Sequence, residues 1–477
     1  MARSAPLIAA ALLVLVGSAA AQDDDIDDYD EFVPHDGESF DDFDWLLCKT
    51  ISDMVPGNMA VSPVGVKVVL AMLYEGAVNQ TAAELRDTLH LPARRSDSRA
   101  RFGKVLRSLQ AVRREYVLDI GSKLYVRKKL WPKSAFRMIL KVFYNTEIQK
   151  TDFDEPEQAV SIINSWVRDM THGNINELIS TDEVTPDSML LLLNAIFFKG
   201  LWRKPFPPNE TRPGPFHLDP VRTMTTDYMT LDGNFYYSES IEMHSKILRL
   251  PYMGKKYSMF LVLPEDKDGL EKVLAKVTPA LIRQHMKTMT SEQVEVKLPK
   301  FKFEYTAHLK DILRKMGIKR LFEDNAELNE MIWGADKLSV STIMQKAGLE
   351  VNEQGTVAYG ATVVNIPNKF GGTSEFHATH PFMFFIEDET TGTVVFVGKV
   401  MAPLESALEA VAARTRAGED NGISAMAELP AEVQRSSVRA SILPDSWVRN
   451  RMAESSGART RTAGDSVRFP ASSRVHA

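Results

Sequence analysis

The residues with the clearest chemistry lie late in the chain, where Lys369 is followed by Phe370. They sit within residues 367–372 (PNKFGG), a run rich in Pro, Asn and Gly that predicts an exposed loop. Trypsin-like proteases bind a basic side chain in a pocket floored by Asp. The bond after Lys369 is therefore a candidate cleavage site, presented as a protease substrate would be.

The segment ahead of this loop, residues 355–366 (GTVAYGATVVNI), has the composition of a buried central strand. It contains no charged residue, which would place an unpaired ion inside the sheet, and no Pro, which would remove a hydrogen bond of the strand ladder. Val364 and Ile366 share the alternating face of Thr356, and burying each would contribute roughly 1.5–3 kcal/mol. The pattern predicts a loop that becomes an added strand once it is cut.

Motifs that would make the chain a catalyst are missing from its sequence. It has no GxSxG, HExxH, P-loop or GxGxxG pattern. We therefore expect no enzyme activity, no catalytic residue, no metal, no cofactor and no nucleic-acid partner.

The 477 residues divide into four zones by composition. Residues 1–21 carry Arg3, an apolar run and small residues before Gln22, as a secretory signal peptide does. Residues 22–44 hold twelve acidic residues and no Lys or Arg from position 23 on, which predicts a disordered arm. Residues 45–404 are the predicted globular domain, and its single Cys, Cys48, allows no internal disulfide.

Residues 405–477 are rich in Ala and Ser and carry ten Arg but no Lys, unlike the domain before them. They are predicted to be a disordered extension. A flexible appendage, an artefact of gene prediction and an interaction tail all fit that composition.

Helical and strand patterns interleave within the domain. Ser62-Pro63 is a cap followed by a first-turn Pro, and a helix is predicted over 61–73. A second helix is predicted over 159–171, and the apolar run 190–198 (LLLLNAIFF) predicts a buried strand. Further strands are predicted over 257–263, 293–303, 381–386 and 393–400. The fold class is predicted to be α+β.

Six blocks in this order resemble the serpin family across residues 45–404. They are residues 58–63 (NMAVSP), 193–202 (LNAIFFKGLW), 250–252 with 258–259 (LPY, SM), 298–301 (LPKF), 380–382 (HPF) and 396–400 (FVGKV). The resemblance implies the serpin fold, with three β-sheets, about nine helices and an exposed reactive loop that inserts into the main sheet after cleavage.

The resemblance also implies roles for particular residues. Its spacing from the hinge Glu353 places the cleaved bond at Lys369–Phe370, with cleavage after Phe370 by a chymotrypsin-like protease as the alternative. Insertion would begin in a hinge of small residues, in which Tyr359 departs from the family pattern. The hinge residues are Glu353, Gly355, Thr356, Ala358, Gly360 and Ala361.

A polar cluster that controls opening of the sheet is expected from Ser62, Asn194 and Gln345, with Trp202 nearby. Gln345 stands where the family commonly has His, so the cluster should lack a titratable group.

The implied function is a secreted inhibitor that traps a trypsin-like serine protease as a covalent acyl complex. Residues 368–371 (NKFG) resemble the activation site of insect prophenoloxidases and the loops of insect serpins that restrain clip-domain proteases. This points to melanisation and Toll signalling in extracellular haemolymph. The alternative is a non-inhibitory carrier or storage serpin. We expect a monomer without membrane association.

Two surface features complete the predictions. Asn79 and Asn209 head N-glycosylation sequons. A basic run is either a site for a heparin-like polyanion or a solvated helix face; it comprises Arg94, Arg95, Arg99, Arg101, Lys104, Arg107, Arg113 and Arg114. The acidic arm either aids solubility, engages a basic exosite of the protease or pairs with this run.

Overall fold

The computed structural model describes residues 31–35, 41–111, 115–334, 337–354 and 373–404. The chain divides into two compact units, Met1–Val33 and Pro34–Ala477, and every helix and strand given below lies in the second. No helix among the described residues is both long and apolar enough to span a membrane.

Nine α-helices occur within the described ranges. They are α1 Asp42–Ser52, α2 Pro63–Gly76, α3 Asn79–Thr88, α4 Arg95–Leu109, α5 Ser134–Tyr144, α6 Pro156–Met170, α7 Leu270–Lys276, α8 Pro279–Thr288 and α9 Leu309–Lys315. Three short 3₁₀ helices lie at Thr181–Glu183, Pro208–Glu210 and Arg320–Phe322.

Sixteen strands occur in the same ranges. They are β1 Met59–Val61, β2 Tyr116–Arg127, β3 Trp131–Pro132, β4 Ile148–Thr151, β5 Leu190–Gly200, β6 Arg212–His217, β7 Thr223–Ser240, β8 Ser245–Pro251, β9 Tyr257–Pro264, β10 Thr290–Pro299, β11 Phe301–His308, β12 Ile332–Trp333, β13 Thr342–Val351, β14 Ser374–His377, β15 Phe382–Asp388 and β16 Thr393–Val400.

The strands form three sheets, which confirms the predicted α+β architecture with its three sheets and about nine helices. The five-stranded sheet has the order β11-β13-β5-β2-β4. The nine-stranded sheet runs β1-β16-β15-β9-β8-β7-β10-β14, with β6 paired to β7. The third sheet pairs β12 with β3.

Strand β5 lies at the centre of the five-stranded sheet because it is largely apolar, and its two polar side chains, Asn194 and Lys199, have partners within the sheet. All eleven of its residues are buried, as the continuous apolar run predicted. Helix α6 packs on one face of this sheet, where Ile163 and Val167 join Leu193 and Phe197 in one hydrophobic cluster.

Helix α2 begins at Pro63, after the predicted cap Ser62, which accepts a hydrogen bond from the backbone N–H of Gly65. The predicted range of 61–73 started two residues too early, because Val61 belongs to β1. The prediction of one strand over 293–303 is wrong. The strand is interrupted at Lys300, and the two parts belong to different sheets: β10 joins the nine-stranded sheet and β11 joins the five-stranded sheet.

The ordered domain starts earlier than the boundary predicted at residue 45. Asp41 caps helix α1 in a capping box with Asp44, and Phe43 is buried. These acidic residues therefore belong to the domain rather than to the arm, because a helix N-terminus favours negative charge.

Candidate functional site: the junction of β5 and β13

The centre of the five-stranded sheet is a parallel pair, β5 and β13. Their register runs from Thr342 opposite Leu191 to Leu349 opposite Phe198. Among the described residues no other strand lies between them. The chain leaves β13 at Val351, and residues 355–372 connect this sheet to β14 of the nine-stranded sheet.

Gln345 lies opposite Asn194 in this register, and its side chain joins three elements. Its amide Nε2 donates to Asn194 Oδ1 at 2.8 Å and to the carbonyl oxygen of Ser62 at 3.0 Å. Its Oε1 accepts from the backbone N–H of Ser62 at 2.6 Å. The three residues are almost completely buried, so these bonds form without competition from water.

The network extends across the sheet and leaves no room around it. Asn194 Nδ2 donates to the carbonyl oxygen of Gly121 at 3.0 Å and to Ser122 Oγ at 2.9 Å, both on β2. A Cβ atom added at Gly65 would clash with the side chains of Asn194 and Gln345. Helix α2, β13, β5 and β2 are therefore linked by one buried set of hydrogen bonds.

Trp202 does not share these contacts, although the sequence analysis grouped it with them. It stacks on Tyr252 with ring centroids 4.3 Å apart, and its Nε1 donates to the carbonyl oxygen of Asn352 at 2.8 Å. Trp202 therefore holds the end of β13, beyond the last residues of β5. Trp202 and Asn194 belong to the same sequence block, residues 193–202, but the Trp202 side chain bonds to the residue that follows β13.

Glu353 is anchored at the point where the chain leaves β13. Its carboxylate accepts from Thr211 Oγ1 at 2.9 Å and pairs with Lys300 Nζ at 3.0 Å, and its carbonyl oxygen accepts from the N–H of Phe206 at 2.9 Å. Burial alone would raise the pKa of Glu353, but a backbone hydrogen bond, Lys300 and Thr211 outweigh it and hold that pKa below its usual range.

Sequence reasoning missed Lys300 and Thr211 as partners of Glu353. No local signal marks Lys300, because charged residues alternate with apolar ones on both sides of it, as at Lys297 and Lys302. The remaining predicted hinge residues lie outside the described residues, as does the predicted reactive bond; they are Gly355, Thr356, Ala358, Gly360, Ala361, Lys369 and Phe370.

Helix α4 carries most of the predicted basic run, but two of its arginines face inward. The Arg95 guanidinium donates to the carbonyl oxygens of Glu75 and Ala77. Arg99 forms a bidentate pair with the buried Glu75 carboxylate, and these hydrogen bonds raise the pKa of Arg99. Four members are exposed, Arg94, Arg101, Lys104 and Arg107, whereas Arg113 and Arg114 lie outside the described residues.

Both predicted glycosylation asparagines are exposed. Asn79 is the first residue of α3 and donates from Nδ2 to Glu327 Oε1 at 3.1 Å. Asn209 lies in the 3₁₀ helix Pro208–Glu210, where its only described bond is to the neighbouring Glu210.

The comparisons with known proteins agree with this geometry. A family model described as serpin (serine protease inhibitor) matches residues 38–403. Serine protease inhibitor 2 of Anopheles gambiae is 34% identical over 383 residues, which cover 78% of this chain and 93% of that protein.

Solved structures share the fold. Serpin48 of the insect Tenebrio molitor is 30% identical with a TM-score of 0.68, and the match covers 76% of this chain and 96% of that one. Human thyroxine-binding globulin is 28% identical with a TM-score of 0.71 over the same shares. This chain belongs to the serpin family of serine protease inhibitors.

Proposed function

We propose that this protein is a secreted inhibitor that traps a trypsin-like serine protease by presenting Lys369–Phe370 as a substrate bond. The observation that carries the proposal is the direct parallel pairing of β5 with β13, from which the loop departs. A segment that leaves β13 and turns back would run antiparallel to both strands. It would therefore have hydrogen-bonding partners on both sides if it entered between them.

The chemistry belongs to the protease. Its serine attacks the carbonyl carbon of Lys369, the peptide bond to Phe370 breaks, and the new amine leaves with the C-terminal part of the chain. Residues 356–368 are then free to insert before water hydrolyses the acyl-enzyme. The protease is carried along with the inserting segment, and its catalytic geometry is distorted.

The free energy for this step would come from the insertion. Burying Val364 and Ile366 contributes roughly 1.5–3 kcal/mol each, and the new backbone ladder adds to it. The intact form would then be kinetically trapped rather than most stable. Glu353 supports this role as a fixed pivot, because its three contacts hold the chain immediately before the hinge.

The cluster of Ser62, Asn194 and Gln345 is proposed to control the opening. Separating β5 from β13 breaks the bond between Gln345 and Asn194, which are partners in the register. Gln345 carries no titratable group, so the opening should not respond to pH through this cluster.

The target is proposed to be a clip-domain protease of insect melanisation or Toll signalling. This finer proposal is supported by the residues 368–371 (NKFG), and secretion into haemolymph is supported by residues 1–21. Glycosylation at Asn79 and Asn209 would follow from secretion, and the exposed side of α4 offers a smaller polyanion site than the basic run suggested.

The test is to mix the full protein with trypsin and separate the products under denaturing conditions. An inhibitor gives a complex that resists SDS and releases a peptide that begins at Phe370. A serpin that is cut while the protease remains active would instead be a substrate. The carrier alternative, which the similarity to thyroxine-binding globulin favours, would then stand.

A further inference from the structure

An open cleft lies between helix α6 and the strands β2 and β4, on the face of the five-stranded sheet that α6 covers. It encloses about 630 Å³, within the range of roughly 300–1,000 Å³ that is typical of small-molecule sites. Its lining comprises Lys123, Gln149, Ser161, Ile162, Ser165, Trp166, Asp169 and Met170. None of these residues belongs to the junction of β5 and β13.

Lys123 is a half-buried cation whose ammonium has no hydrogen-bond acceptor among the described residues. It lies two residues before the buried Tyr125, so both side chains lie on the α6 face of β2. Its Nζ lies 5.8 Å from the ring centroids of Tyr125 and Trp166. Among the described residues no carboxylate lies within ion-pair distance of this ammonium, and no oxygen accepts a hydrogen bond from it.

Neighbouring lysines are satisfied differently. Lys141 pairs with Glu147 at 3.3 Å, and the same carboxylate attracts Lys123 from beyond ion-pair distance. Lys150 is exposed on β4, and its Nζ lies 3.8 Å from the centre of the Trp131 ring. Burial lowers the pKa of Lys123 by more than the charge of Glu147 raises it, as expected for an ammonium that has lost water without gaining an ion pair or a hydrogen bond.

The helix supplies an apolar wall beside this cation. Ile162, Trp166 and Met170 are spaced four residues apart, so they follow one another along one side of α6. Trp166 is fixed by an edge-to-face contact with Tyr125, with ring centroids 6.3 Å apart. An aromatic ring and a thioether together favour an aromatic partner.

The charge of the lining limits the ligand further. Asp169 is exposed and also lines the cleft, so one cation and one anion face the cleft. A polyanion would be repelled by Asp169, whereas a ligand with one negative group can place it on Lys123. Gln149 and the two serines can donate further hydrogen bonds to that group.

We propose that this cleft binds a small aromatic monocarboxylate, with its carboxylate on Lys123 and its ring against Ile162, Trp166 and Met170. The proposal concerns a site separate from the reactive loop, and it does not depend on inhibition.

The test is calorimetric titration of the full-length protein with 1-naphthaleneacetate. The neutral 1-naphthaleneacetamide serves as the matched ligand. Lys123→Met keeps the apolar stem and removes the charge. Lys150→Met is the matched control, because Lys150 adjoins Gln149 in β4 but points to the other face of the strand.

We expect the carboxylate to bind, and Lys123→Met to weaken binding by about tenfold or more, as for a lost charge-assisted hydrogen bond. Lys150→Met should stay within about twofold, since exposed charges contribute little. The amide should bind the unmodified protein about tenfold or more weakly than the acid does, and this comparison on the unmodified protein decides the matter even if Lys123→Met does not fold. Absence of binding, or equal affinity for acid and amide, would overturn the proposal.

Discussion

Replacing Gln345 by Met tests whether the buried cluster holds β5 and β13 together. Methionine retains the length of the side chain and removes its hydrogen bonds. The backbone N–H of Ser62 and Oδ1 of Asn194 then each lose the partner that the structure provides. Both residues are nearly inaccessible to solvent, at 0% and 1%, so water cannot easily replace that partner.

The magnitude follows from these two orphaned groups. Each buried, unsatisfied polar group costs about 1–3 kcal/mol. The free energy of unfolding of the intact protein should therefore fall by about 2–6 kcal/mol. If the Gln345–Asn194 bond also breaks when the sheet opens, losing about 1 kcal/mol of resistance should speed opening about fivefold.

Two assays measure these effects. Urea unfolding of the intact protein reports the loss of stability, and the decay of inhibitory activity on incubation reports insertion without cleavage. Gln284→Met on α8 is the control, because Gln284 is exposed; its effect should stay within about 0.5 kcal/mol. If Gln345→Met unfolds and loses activity as the unmodified protein does, the cluster does not restrain the sheet.

Three further predictions concern titratable groups. Because the pKa of Glu353 lies below its unfolded value of 4.5, its stabilising effect should be present above that pH and disappear as the pH falls through the folded pKa. Glu353→Gln should accordingly melt lower than the unmodified protein at pH 7 and converge with it in acid; a constant difference would contradict this. Burial raises the pKa of the Cys48 thiol to about 12, so a thiol reagent at pH 8 should label the chain only after denaturation, and rapid labelling of the folded protein would refute the burial. Spontaneous loss of activity should not vary between about pH 6 and 8 in the unmodified protein but should vary in Gln345→His, whose imidazole titrates in that range; identical profiles would show that the cluster does not control opening.

The elements that could be predicted from sequence are those with a local signal. The buried strand β5 was indicated by the largely apolar residues 190–198, and Ser62-Pro63 marks the start of α2 by its capping chemistry. These features depend on near neighbours in the chain, so composition and spacing were sufficient to identify them.

The errors arose where distant contacts decide the outcome. Arg95 and Arg99 were read as part of a basic face, but the buried carboxylate and backbone of Glu75, some twenty residues earlier, bind both. Trp202 was grouped with Asn194 because both lie in residues 193–202, whereas its indole bonds to Asn352, which is 150 residues away in the chain. No pattern near these residues in the chain predicts that Glu75 or Asn352 would be their partner.

The central claim is that the segment ahead of Lys369 is more stable as a strand between β5 and β13 than as a loop. The most direct measurement compares the thermal unfolding of the intact protein with that of the protein cleaved at Lys369–Phe370. We predict a clearly higher melting midpoint for the cleaved form, because insertion buries apolar side chains and completes a new ladder. Equal midpoints for the two forms would contradict the claim.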